Sequence, residues 1–124
     1  MKIEVSVGEI VDKLSILSIK KQNIIEESKL NNVIKEYEYL KNIVFNNLKI
    51  EQQDFDEMIQ VNSKLWKIED SLREKEKEKI FDEKFIELAR SVYYTNDERA
   101  SIKKRINTKY GSDFFEEKSY SQYQ

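Results

Sequence analysis

The chain has 124 residues, room for one domain with its own core, and sets 22 Lys and Arg against 24 Asp and Glu for a net charge of -2. That balance excludes a general nucleic-acid binder, which needs a basic excess to release counterions from phosphates. The absence of cysteine and histidine excludes disulfides, thiolate chemistry, the commonest zinc ligand and the commonest general base.

Proline is absent and the only glycines are Gly8 and Gly111. Sheet proteins need turn residues roughly every 8–12 positions, so the expected class is all-α. The reading is a single helical domain over 1–124 with four to five helices. Long antiparallel helices form a bundle with a coiled-coil-like core, a short helical pair closes one end, and a partly docked tail covers 112–124. No window approaches the roughly 18 apolar residues of a membrane span, and no signal-peptide pattern opens the chain, so the cytoplasm is the expected location.

Ile3 and Val5 alternate with polar residues in a short extended arm. Ser6 and Glu9 then form a capping box, with Val5 and Ile10 as its hydrophobic staple. Val7, Ile10, Val11, Leu14, Leu17, Ile24 and Ile25 keep helical spacing to about Glu27. A short connection is expected at Asn31 and Asn32. The second apolar series takes in Leu30, Val33, Ile34, Tyr37, Leu40, Val44 and Leu48 and ends near Lys49, and Asp54 is the expected N-cap of the third helix.

The third helix is the longest. Met58, Val61, Leu65, Ile68 and Leu72 are spaced 3, 4, 3, 4, a coiled-coil-like seam, and the charged run Arg73 to Lys79 is expected to project from the body. Asp82 opens a short fourth helix with Phe81 stapled to Ile86 and with Phe85, Leu88, Ala89 and Val92 facing inward. Thr95 and Glu98 make a second capping box, which predicts a fifth helix burying Ala100, Ile106 and either Ile102 or the stem of Lys103. Gly111 fits a left-handed C-cap. The tail, with Phe114, Phe115, Tyr120 and Tyr123, is too aromatic for an ordinary solvated end.

Chemistry has three candidate places. Asn62, Trp66, Glu69, Arg73 and Glu76 form a second stripe about 100° around the third helix from its apolar seam, where a cleft can be lined. The competing reading is an exposed flank with i,i+4 ion pairs such as Glu69–Arg73. Arg90, Tyr93, Asn96, Arg99 and Lys103 cluster around the expected fourth-to-fifth helix junction, where a helix N-terminus and forked guanidinium donors suit a carboxylate or phosphate. Here the competing reading is local: Asn96 and Asp97 cap the helix, and Arg90 and Arg99 pair with nearby carboxylates. Glu116 and Glu117 are adjacent carboxylates in the tail, too weak a pattern for a metal site. No phosphate loop, zinc pattern or nucleophile elbow is present, so no cofactor and no metal are expected. The candidate ligand-binding set is Asn62, Trp66, Glu69, Arg73, Arg90, Tyr93, Asn96, Arg99 and Lys103.

Several stretches resemble an uncharacterised family of short helical bacterial and bacteriophage proteins, a domain of unknown function. They are residues 5–17, Val61-Asn62 with residues 65–70, Phe81-Asp82 with residues 85–90, residues 96–100 and residues 116–120. The resemblance covers most of the chain and implies no activity. A looser, fold-level likeness is to the all-helical chorismate mutases, which implies an intertwined dimer in which Arg and Lys clamp two carboxylates and a Glu or Gln aids an ether oxygen. Lys13, Lys20, Arg73, Arg90 and Glu69 are of the right types, and no motif fixes them to those roles.

Three functions follow as expectations. The leading one is a helical binding or adaptor module that engages a protein partner through the third helix and the tail, marked by an exposed apolar patch. The second is a small-anion ligand-binding protein or enzyme, marked by convergence of Trp66, Arg73, Arg90 and Asn96 on one pocket. The third is a structural coiled-coil component. Three long helices in so short a chain leave apolar surface over, so self-association as a homodimer is expected.

Overall fold

The computed structural model describes residues 1–114. Among them are four α-helices: α1 (Val7–Asn23), α2 (Glu27–Asn42), α3 (Gln52–Glu78) and α4 (Glu83–Lys109). A π-helical segment, Ile43–Asn47, extends α2.

The capping box starts α1 as its residues require. Ser6 Oγ accepts from the Glu9 N–H at 3.1 Å. The N–H groups of Val7 and Gly8 donate to Ser112 Oγ at 3.2 Å and Asn107 Oδ1 at 2.6 Å. The first turn of α1 is therefore capped mainly from the far end of the chain, and its N–H groups are not free for an anion. The helix stops earlier than its apolar series. Ile24 is extended, and Ile25 is 94% exposed rather than inward. Asn23 turns its amide back onto the Ile19 carbonyl at 2.7 Å, and the following β-branched pair favours extended backbone. Asn31 and Asn32 lie on the exposed side of α2 and do not break it, because asparagine there lowers helix propensity only by tenths of a kcal/mol.

Helix α2 is an outer layer. It packs on α1 alone among the four helices, and none of its residues is fully buried. Lys21 Nζ lies 4.5 Å from the Tyr37 ring centroid and Lys13 pairs with Glu36 at 3.2 Å, both tying α1 to α2. The π-helical segment places Val44 in the core and sets the Phe45 ring edge-on to Phe55, 5.3 Å between centroids.

The core is Val11, Leu14, Val44, Ile50, Phe55, Met58, Val61 and Ile106. Each such side chain contributes about 1.5–3 kcal/mol on leaving water. Asp54 is not an N-cap. The helix begins at Gln52, and Asp54 lies buried in its first turn, accepting from Lys109 at 2.8 Å and from the Tyr110 hydroxyl at 2.6 Å. Burial would raise this carboxyl, but the hydrogen bonds from Lys109 and Tyr110 outweigh it and hold the group below its ordinary value.

Helices α3 and α4 form an antiparallel hairpin of two 27-residue helices. The expected short helical pair is one continuous helix, and Thr95 lies buried in its middle instead of capping anything. No glycine or proline interrupts residues 83–109. The propensity cost of Thr95, Asn96 and Asp97 is a few tenths of a kcal/mol each, less than the packing gained by staying on α3. Asp82 is the N-cap as expected, accepting from Phe85 N–H at 2.9 Å, and the Phe81 ring lies edge-on to that of Phe85. Gly111 takes the left-handed conformation at φ 68°.

On α3 no residue beyond Leu65 is buried, and on α4 none before Thr95. The half of the hairpin nearest its turn therefore projects from the core. It is about 20 Å long, from 13 residues at 1.5 Å each. The run 73–78 is helical, and Lys79 is left-handed at φ 60°. Ser112 docks the start of the tail on α1, and Phe114 is half exposed. The expected roles of Phe115, Glu116, Glu117, Tyr120 and Tyr123 fall outside the described residues.

Candidate functional site

The most elaborate polar arrangement lies where α1, α3 and α4 meet. Gly8, Asp12, Ser15 and Ile19 form a buried stripe on α1, spaced 4, 3, 4 beside the main apolar series. Asp12 is 6% exposed, and its carboxylate accepts from Asn62 Nδ2 of α3 at 2.7 Å and pairs with Lys103 Nζ of α4 at 3.2 Å. Lys103 also reaches Glu9 at 2.8 Å. Ser15, fully buried, accepts from the same Asn62 nitrogen at 2.6 Å and donates to the Asp12 carbonyl.

Asn62 links this interior to a cleft. Its Oδ1 accepts from Arg99 Nη1 at 3.3 Å, and Asn96 Oδ1 accepts from Arg99 Nη2 at 3.0 Å. The cleft is lined by Ile16, Ile19, Asn62, Leu65, Trp66, Glu69 and Arg99 and has a volume of about 150 Å³. Two amide oxygens thus fix the guanidinium without neutralising it. Among the described residues no carboxylate pairs with Arg99, and Glu69 makes no ion pair either, with Arg99 or with another cation. A planar cation with spare N–H donors beside an indole is suited to a carboxylate.

The nine candidate residues divide accordingly. Asn62, Trp66, Glu69 and Arg99 line the one cleft, Asn96 steadies Arg99, and Lys103 sits in the polar interior behind them. Arg73 is exposed and turned to Asp70 at 3.7 Å, so the Glu69–Arg73 pair of the surface reading does not form. Arg90 lines a different depression with Lys64, Glu87, Ser91, Tyr94 and Thr95. Hydrogen bonding to Tyr93 and then Tyr94 raises its already high pKa. Tyr93 is 44% exposed and stacks on Tyr94 at 5.5 Å. Convergence of Trp66, Arg73, Arg90 and Asn96 on one pocket is therefore not what the fold produces. The helix N-terminus expected near Asn96 is also absent, because α4 runs through it.

Asp12 and Ser15 are the residues of this junction that sequence reasoning passed over. The signal for them was the second stripe on α1, in which glycine and two small polar residues occupy positions as regular as the leucines. A wider groove between α1 and α2, of about 700 Å³, includes Ile3, Ile10, Lys13, Lys20 and Leu40. Lys13 and Lys20 lie here and Glu69 lies in the cleft, so the residue types that suggest a chorismate mutase do not gather at one place. No group of three or more acidic residues among those described is arranged to hold a metal. No described helix is long and apolar enough to cross a membrane.

These features define a small all-α protein whose polar core junction opens on one charged, partly apolar cleft. The chain belongs to a family of unknown function (DUF6165), whose model matches residues 1–123. No curated protein and no solved structure matches the chain.

Proposed function

We propose that this chain is a helical ligand-binding protein that takes a small carboxylate on Arg99. The observation that carries the reading is a guanidinium fixed by Asn62 and Asn96, lining the Trp66 cleft with no carboxylate partner among the described residues. An arginine serving stability alone is better placed on an acidic side chain, as Arg105 is on Glu57. The network behind it gives the cleft a rigid floor, because Asn62 is itself held by Asp12 and Ser15. The test is saturation-transfer NMR of the full chain with acetate, propionate and butyrate. The carboxylates should give transfer that Arg99→Gln abolishes. Equal transfer to the wild type and to a folded Arg99→Gln protein would refute the reading.

A second reading, the binding or adaptor module, has its own support in the projecting hairpin. Phe81 is 55% exposed, Ile86 48% and Tyr93 44% on a segment that no other helix covers to the point of burial. The occupant we propose is a second copy of this chain, hairpin against hairpin, which would bury the same residues twice over in a two-fold dimer. Sedimentation equilibrium should return a dimer mass for the wild type and a monomer for Ile86→Asp. A monomeric wild type at high micromolar concentration would remove this reading and leave the Arg99 cleft unaffected.

A further inference from the structure

Among the described residues, the cleft holds a second charge without an ionic partner. Glu69 lines the same 150 Å³ space as Arg99, and the two do not pair with each other. In a cleft this small, two opposite charges that only satisfied the fold would gain by closing on one another, since their attraction grows as water is excluded. They are instead held apart. Arg99 is anchored by the amides of Asn62 and Asn96, and Glu69 stands one turn beyond Trp66 on α3. Between them run apolar walls, including Trp66 and Leu65. The volume equals that of about five waters at roughly 30 Å³ each, which suits a molecule of amino-acid size.

We propose that the ligand is a small zwitterion of the free amino-acid class with an apolar side chain. Its carboxylate lies on Arg99, its ammonium on Glu69, and its side chain against Trp66. This inference rests on the carboxylate reading of Arg99 and narrows it. A simple anion would leave Glu69 uncompensated and close to a like charge, whereas a zwitterion satisfies both ends and adds no net charge to the cleft. The ammonium also gains from the face of the indole.

Trp66 is the only tryptophan in the chain, so its fluorescence reports the cleft directly. The experiment titrates the full chain with L-valine, L-leucine and L-phenylalanine. Each is compared with its deamino acid, which lacks the ammonium, and with its amide, which lacks the carboxylate. At least one free amino acid should shift the emission, with binding about tenfold or more tighter than its deamino acid and no saturable response to its amide. Glu69→Gln, a conservative change at the cleft edge, should bring the amino acid and its deamino form to within about twofold of each other. If the deamino acids bind as tightly as the amino acids, or Glu69→Gln leaves the ratio unchanged, the zwitterion inference is overturned while the carboxylate reading stands. If the amides bind as well as the acids, or none of the probes binds, both fall.

Discussion

Replacing Gly8 by alanine separates local from tertiary reasoning, because the two predict opposite signs. Within an isolated helix the change is favourable by up to about 1 kcal/mol. In the folded chain an added Cβ at Gly8 would lie 2.8 Å from the Lys103 carbonyl oxygen, 3.1 Å from Lys103 Cα and 3.0 Å from Asn107 Oδ1. Two of those three atoms are backbone of α4, so relief requires the helices to separate, and overpacking of this kind costs about 1–3 kcal/mol. Separation also stretches the 2.6 Å bond from Gly8 N–H to Asn107, a further loss of about 0.5–1.5 kcal/mol. After subtracting a propensity gain of about 1 kcal/mol, Gly8→Ala should destabilise the protein by about 0.5–3.5 kcal/mol. Near the melting point that is a fall in Tm of about 2–14 °C for a chain of this length. Thermal unfolding followed by circular dichroism at 222 nm reads it directly, and urea unfolding with an unchanged m-value confirms a two-state loss. A Tm equal to or above that of the wild type would refute the close approach of α1 and α4 on which the polar junction depends.

Met58→Ala empties a fully buried position at the centre of the core and should cost about 2–5 kcal/mol in urea unfolding. Asn62→Leu keeps the volume but removes the donor to Asp12 and the acceptor for Arg99; a loss of about 1.5–3 kcal/mol is expected, and a neutral result would mean the network is idle. Asp54, whose folded pKa lies below its ordinary 3.8, stabilises the fold above that value and loses the contribution as the pH falls through the folded pKa. Unfolding free energy should therefore decline below about pH 4, and Asp54→Asn should flatten that limb of the pH profile.

The helical class, the start of α1, the start of α4 and the left-handed Gly111 were all legible from local chemistry. A capping serine, an N-cap aspartate and a glycine act on neighbours within four residues, so sequence contains both partners. The candidate cleft was half legible. Asn62, Trp66 and Glu69 share a face of α3 by spacing alone, but that spacing extends equally to Arg73, which the fold leaves in solvent. Nothing local says where the neighbouring helix ends.

The sequence by itself therefore determined the helical class, the amphipathic seam of α3 and the residue types available for chemistry. The tertiary structure decided three things that local rules had wrong or open. Thr95 and Glu98 spell a helix start, yet packing along α3 keeps α4 continuous. Asp54 spells an N-cap, yet Lys109 and Tyr110 claim its carboxylate from 55 and 56 residues away. Asp12, Lys103 and Arg99 look like surface charges until α1, α3 and α4 are brought together. Apart from Asn96, three residues from Arg99, their partners lie dozens of residues off in the chain, and desolvation at the junction, which no local pattern encodes, fixes which charges are paired and which stand without an ionic partner among the described residues.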